Sequence, residues 1–205
     1  MARDLLIATR NKKKKSELQE ILADCEVNLI SLDELEGMPE VEEDGATFTD
    51  NARKKARTIA ELSGLVTLAD DSGLMVDALG GAPGIFSARF AGPGCNDADN
   101  NAKLLGLLSR VPEAARTARF VCVIAVAVPG GDTETVQGVC EGRITAAPRG
   151  HKGFGYDPLF IPEGYSQTFA ELGEGIKNLI SHRGRALQAA KPLLQRLFNT
   201  EDGRC

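Results

Sequence analysis

A chain of 205 residues is long enough to bury a sizeable core in one large domain or two closely packed lobes, and residues 1–205 read as one folding unit. Its 42% hydrophobic and 26% charged residues are ordinary for a globular cytosolic protein, and no apolar run approaches the roughly 18 residues of a membrane span. The net charge of -5 excludes a general nucleic-acid binder, which needs a broad basic face, so any anion must be met locally.

In chain order, Leu5–Thr9 reads as a short buried strand, too short for the apolar core of a signal peptide. Asn11 is placed to cap a helix whose apolar positions are Leu18, Ile21, Leu22 and Cys25. Val27–Leu32 is a second strand, and the acidic stretch Asp33–Asp44, interrupted by Gly37 and Pro39, reads as a mobile loop. Thr47 and Asp50 resemble a capping box for a helix with Phe48, Ala52, Ala56, Ile59 and Ala60 on one face, ending near Gly64. Leu65–Ala69 reads as a strand, Asp70–Gly73 as a turn and Leu74–Leu79 as another strand. Residues 80–96 are irregular, and Asp97 is expected to cap a helix through Leu108.

Ala118–Val128 and Thr133–Arg143 flank Pro-Gly-Gly-Asp, which signals a hairpin. Ser181–Phe198 carries Ala186, Leu187, Ala190, Leu194 and Leu197 on one side and reads as a helix bent or restarted at Pro192. Strands and helices alternate irregularly, which predicts an α/β fold with a mixed sheet and flanking helices. The five cysteines, Cys25, Cys95, Cys122, Cys140 and Cys205, are odd in number and lack CxxC spacing, so a disulfide framework or zinc site is not indicated and a reducing cytoplasm is expected. Cys122 lies in an apolar strand and reads as core.

Four groups of residues could carry chemistry. The run Lys12–Lys15 opposes the helix dipole at a helix start, so it is either a solvated patch or part of an anion site made by a strand, a tight turn and a helix N-terminus. No GxxxxGK[ST] phosphate loop is present. Asp70 and Asp71 are adjacent at a strand end. If both faced one space their repulsion would need a cation, with magnesium as the candidate, although neighbours in an extended segment point to opposite sides. Asp70 could instead be a structural cap, while Glu43 and Asp50 either complete the acidic group or are solvated. Phe154, framed by Gly153 and Gly155, is either core or a plate for a base, and stacking there is worth about 1–3 kcal/mol. Ser181-His182-Arg183 is either a capped helix start or a recognition group whose arginine fork suits carbonyl or phosphate oxygens.

The segments LLIATRNKKKKSEL, GATFTDNARKKA, LADDSGLMVDALGGAPGIFSARFAG, HKGFGYDPLF and KNLISHRGRAL together resemble the inosine triphosphate pyrophosphatase family, in its order and spacing and over nearly the whole chain. The resemblance implies an elongated mixed α/β fold with two lobes around a central cleft, a homodimer, and magnesium-dependent hydrolysis of ITP, dITP and XTP to the monophosphate and pyrophosphate. It implies that Thr9, Arg10, Asn11, Lys12, Lys13 and Lys14 hold the triphosphate, with Lys55 as a further phosphate contact. Asp71 is implied to bind magnesium and act as the base, Glu43 to be a second metal carboxylate, and Ser72 to touch substrate. Phe154, Gly155, Tyr156, Asp157, Lys177, His182 and Arg183 are implied to shape the base and sugar pocket.

The chain departs from the family pattern at Arg10, where many relatives have glycine, at Asp50, where glutamate is common, and at Gly175-Ile176, where Glu-Glu often precedes the lysine. Two other readings stay open at this point. One is a pyrophosphatase for other modified nucleotides, the other a nucleotide-binding protein without hydrolysis.

Overall fold

The computed structural model describes residues 3–23, 25 and 27–199; Cys205 lies outside the described residues. The strands are β1 (Arg3–Ile7), β2 (Val27–Ser31), β3 (Thr67–Val76), β4 (Thr117–Ala127), β5 (Thr133–Ile144) and β6 (Phe160–Pro162), hydrogen-bonded in the order β2-β1-β3-β4-β5-β6. The helices are α1 (Lys12–Ile21), α2 (Phe48–Ser63), α3 (Asp97–Leu107), α4 (Phe169–Leu172), α5 (Glu174–Ile180) and α6 (His182–Asn199). The predicted mixed α/β architecture is present. β1 runs parallel to β2 and β3, pairing Leu5 with Leu29 and Leu6 with Thr67, whereas β5 and β6 are antiparallel.

The chain divides into two compact units. The first contains residues 1–71, 122–138 and 184–205. Its core joins Leu5, Ile7 and Leu68 of the parallel strands to Leu18 of α1, to Cys122, Ile124 and Val126 of β4, and to Ala186, Leu187, Ala190 and Leu194 of α6. The apolar faces read from helical period are therefore the ones buried, and Cys122 is core as predicted. α1 begins where Asn11 accepts from Lys13 N (3.1 Å) and Lys14 N (3.2 Å). α2 begins where Thr47 Oγ1 accepts from Asp50 N (3.1 Å) and ends on Gly64 in the left-handed region. Asp50 turns its exposed carboxylate onto the Thr47 hydroxyl (2.7 Å), so its side chain serves the cap. β4 and β5 are sheet neighbours joined by Val128–Asp132, and so short a connection makes the pair antiparallel.

The second unit contains residues 72–121 and 139–183. Its core gathers Leu74 and Val76 of β3, Leu104 of α3, Ala118 and Phe120 of β4, Ile144 of β5, and the rings of Tyr156, Phe160 and Phe169. Phe120 meets Phe160 edge to face at 4.7 Å between ring centres.

Several boundaries differ from expectation. β1 stops at Ile7, and Thr9 belongs to the loop before α1. The predicted turn at Asp70–Gly73 is strand: β3 runs unbroken from Thr67 to Val76, because its polar residues find side-chain partners that local sequence does not reveal. Asn96, not Asp97, caps α3, exchanging bonds with Asp99 at 3.0 Å each. α6 passes through Pro192 without restarting; both Pro192 and Gln188, whose carbonyl loses its helical donor, are exposed. Short 3-10 turns occupy Leu32–Glu34 in the acidic stretch and Gly84–Arg89 in the irregular region.

Candidate active site

In the first unit, β3 brings two adjacent carboxylates into a nearly dry setting, Asp70 being 1% and Asp71 5% exposed. Consecutive strand residues face opposite sides, and the two acids have different partners. Asp70 Oδ2 pairs with Lys14 Nζ of α1 at 3.0 Å. Asp71 Oδ2 accepts from Asn51 Nδ2 of α2 at 2.9 Å. The Asn51 amide is itself oriented, since its Oδ1 accepts from Gly45 N at 2.7 Å and only its nitrogen can then face the acid. One turn further along α2, Lys55 Nζ pairs with Glu43.

These groups form one electrostatic cluster. Burial raises the Asp71 carboxyl above the usual carboxylate range; the Asn51 hydrogen bond opposes the shift, Glu43 adds to it, and Lys14 and Lys55 oppose it. Burial works against the Lys55 ammonium, but Asp70, Glu43 and Asp71 together hold it above the usual lysine range. The result is a buried acid with a raised proton affinity beside two ammonium groups.

The loop before α1 presents the remaining phosphate candidates. Thr9 is buried and its Oγ1 accepts from Asn11 N at 3.2 Å. Lys12 and Lys13 are exposed and Lys14 is half-buried. Because Asn11 occupies the Lys13 and Lys14 N–H groups, this helix start offers an anion its side-chain ammoniums more than those two amides. Arg10 does not crowd the turn: its Nη2 donates to Met38 O at 2.7 Å, tying the loop to the acidic stretch.

In the second unit, residues 153–157 form a tight loop around Asp157. Asp157 Oδ2 accepts from Phe154 N at 2.9 Å and from Lys177 Nζ at 2.7 Å, with Asp157 and Lys177 both almost fully buried. Gly153 sits at φ +77°, and a Cβ there would lie 2.1 Å from Asp157 Oδ2, so no other residue fits without moving the carboxylate. The Phe154 ring is half-buried, with Lys177 Nζ 4.4 Å and Arg183 Cζ 5.7 Å from its centre. Arg183, buried at the start of α6, donates to Ser72 Oγ at 3.0 Å.

Two predicted pocket residues face the core instead. Tyr156 OH donates to Ser87 O at 2.9 Å, and burial keeps the phenol neutral. The His182 ring stacks on Phe120 at 4.6 Å.

Thus the first unit brings together Asp71, Glu43, Lys55 and Lys14, and the second brings together Ser72, Phe154, Asp157, Lys177 and Arg183. Sequence reasoning missed Asn51. Its signal was a polar residue within the apolar stripe Phe48, Ala52 on α2, buried to 1% exposure. It also missed Asp97 and Asn101 of α3, which bond the Gly155 backbone; nothing local pointed to a partner so distant in sequence.

Residues 5–193 match the Ham1 family. The chain is 57% identical over 194 residues to the dITP/XTP pyrophosphatase of Desulforamulus reducens, covering 95% of this chain and 96% of that protein. It is 52% identical over 187 residues to the dITP/XTP pyrophosphatase of Geobacter sulfurreducens, covering 91% and 94%. Among solved structures, a HAM1 protein from Coxiella burnetii superposes with a TM-score of 0.87 at 42% identity, covering 95% of this chain and 99% of that one. A nucleoside-triphosphatase, dITP/XTP pyrophosphatase, from Mycobacterium abscessus superposes with a TM-score of 0.76 at 46% identity, covering 92% and 99%. With these matches running through both carboxylate-bearing and aromatic segments, the chain belongs to the Ham1 family.

Proposed function

We propose that this protein hydrolyses the non-standard purine triphosphates ITP, dITP and XTP to the nucleoside monophosphate and pyrophosphate, keeping them out of nucleic acids. The relatives named for dITP and XTP, at 57% and 52% identity over nine-tenths or more of the chain, support the reaction class. The observation that carries the chemistry is Asp71: a buried carboxylate, oriented by Asn51, raised in proton affinity and flanked by Lys14 and Lys55. Such a group suits a general base.

Asp71 orients a water molecule in line with the α-phosphorus and takes its proton. The bond from water oxygen to phosphorus forms as the bond to the bridging oxygen breaks, and pyrophosphate leaves with that oxygen. Lys13 and Lys14 offset the charge on the departing group, while Thr9, Arg10, Asn11, Lys12 and Lys55 hold the rest of the triphosphate.

A divalent metal fits the donor set. Among the described residues no three His, Cys, Asp or Glu side chains gather as a ready-made site, but Asp71 and Glu43 offer hard oxygens of the kind magnesium combines with water and phosphate. Bound there, magnesium supplies charge neutralisation and polarisation of the phosphoryl oxygens.

The residues around Phe154 read the base and sugar. Phe154 supplies the stacking plate, with Lys177 and Arg183 over its ring, Gly155 and Asp157 in its loop and Ser72 on the Arg183 fork, while Tyr156 and His182 pack into the core. The Phe154 and Gly155 N–H groups are engaged by Asp157 and Asp97, and the Arg183 fork, which lies over the Phe154 ring, reads the six-carbonyl of hypoxanthine or xanthine. Adenine carries an amine there and leaves the donor unsatisfied, which discriminates strongly. Guanine shares the carbonyl and is rejected at its two-amino group.

Reading residues 1–205 as one pyrophosphatase domain is supported by the family match over residues 5–193. Homodimerisation and cytoplasmic residence follow from the family resemblance, and sedimentation of the purified protein checks the first. No helix among the described residues is long and apolar enough to cross a membrane. The direct test of the reading is pyrophosphate release from a panel of triphosphates with and without magnesium. A panel that leaves ITP and XTP uncut refutes it.

A further inference from the structure

We infer that Asp97 and Asn101 of α3 are positioning residues that hold the Phe154 plate in register for the base, an inference that rests on the reading of Phe154 given above. The two side chains stand one turn apart on one face of α3. Asp97 Oδ2 accepts from Gly155 N at 2.8 Å, and Asn101 Nδ2 donates to Gly155 O at 3.0 Å. Helix α3 therefore takes both backbone polar groups of the residue that follows the plate. On the other side of the ring, Phe154 N is held by Asp157. With Phe154 O accepting from Asp157 N at 3.2 Å, four successive backbone groups around one half-buried aromatic are thus fixed, two by Asp157 and two by α3.

Stability alone does not explain Asn101. Asn101 is buried, yet its Oδ1 has no hydrogen-bond partner among the described residues, an arrangement that costs stability. What it contributes is the bond its nitrogen donates to Gly155 O. Gly155 lies at φ +59° with nothing within 4 Å of a Cβ, so no neighbour packs where its side chain would be; besides the Asp157 N bond to Phe154 O, its peptides are held by the two α3 bonds. Without them the loop keeps its Asp157 anchor but loses its hold beyond the ring, and the plate must be ordered when the base arrives. That ordering falls on affinity, because the plate touches the base and not the reacting phosphorus.

The chain has no tryptophan, so Phe154→Trp introduces a single fluorophore at the plate. Inosine monophosphate should quench it on stacking. Adding Asp97→Ala or Asn101→Ala should weaken that quenching titration by about tenfold, the effect of one lost hydrogen bond of preorganisation. In the Phe154 protein the same two substitutions should raise KM for ITP by a similar factor while kcat stays within about twofold. Asp97→Asn, which keeps an acceptor for Gly155 N, should restore KM.

Quenching with unchanged affinity and unchanged KM in the α3 variants overturns the positioning role and leaves Phe154 as the plate. A loss of melting temperature without a change in KM does the same. Failure of inosine monophosphate to quench the Phe154→Trp variant with α3 intact overturns the reading of Phe154 itself, and the positioning role with it.

Discussion

Asp71 is folded into a place where its own charge is unwelcome. Burial raises its carboxyl, so ionisation works against the folded state: its contribution favours folding below the ordinary carboxylate pKa and is lost as pH rises through the raised value. Two outcomes follow for Asp71→Asn. Pyrophosphate release should fall by about 10²-fold or more, as expected for loss of a general base. Melting temperature near neutral pH should rise, and the gain should disappear in acid, where the native carboxyl is already protonated. For the unmutated enzyme, kcat/KM should fall as pH drops and the Asp71 carboxyl takes up a proton. A rate that holds level far into acid argues against Asp71 as the base.

Lys177 poses the opposite case. Its pair with Asp157 is dry on both sides, so Lys177→Ala leaves an uncompensated buried anion and should cost about 3–5 kcal/mol in urea denaturation. Gly153→Ala should disturb the same carboxylate by collision, loosening the Phe154 loop even though the substitution is chemically small.

At the scale of elements, the segments that were legible carry their signals locally. Asn11 before α1, Thr47 and Gly64 at the ends of α2, and Pro-Gly-Gly-Asp between β4 and β5 each act on backbone groups within a few residues, so sequence alone placed them. Asp-Asp-Ser-Gly misled because its composition is that of a turn, whereas the backbone stays extended once Lys14, Asn51 and Arg183 satisfy its side chains from α1, α2 and the start of α6. β6, α4 and α5 are too short to show a period. The same distinction divides the candidate site. The acid, the lysines and the aromatic were visible as residue types, but the groups that aim them, Asn51, Asp97 and Asn101, declare themselves only through partners distant in sequence.

Helix α6 offers a test at this scale, since Pro192 removes a backbone donor in the helix interior and faces solvent. Pro192→Ala should therefore stabilise the protein, by about 2 kcal/mol once the stiffer unfolded chain of the proline form is allowed for. A destabilised variant in thermal or urea unfolding refutes this account of the helix.

At the scale of the whole molecule, the chain combines an ordinary globular composition and net negative charge with two local concentrations of cations. Lys14 and Lys55 stand beside the carboxylates of the first unit, and Lys177 and Arg183 lie over the aromatic of the second. This distribution suits a small anionic nucleotide better than a polymeric one, because long-range attraction for a nucleic acid is absent while local charge is high. Membership of the Ham1 family over residues 5–193 and the close relatives named for dITP and XTP agree with it.

The reaction proposed for this protein is hydrolysis between the α- and β-phosphates of a purine triphosphate whose six-position is a carbonyl. Simultaneous measurement of pyrophosphate and orthophosphate from ITP and from ATP, in the presence of magnesium, tests it most directly. The expected result is pyrophosphate in step with inosine monophosphate and little orthophosphate, with ATP cleaved at least about 100-fold less efficiently, as a donor-lined pocket predicts. ATP turned over as fast as ITP, or orthophosphate as the main product, contradicts the account.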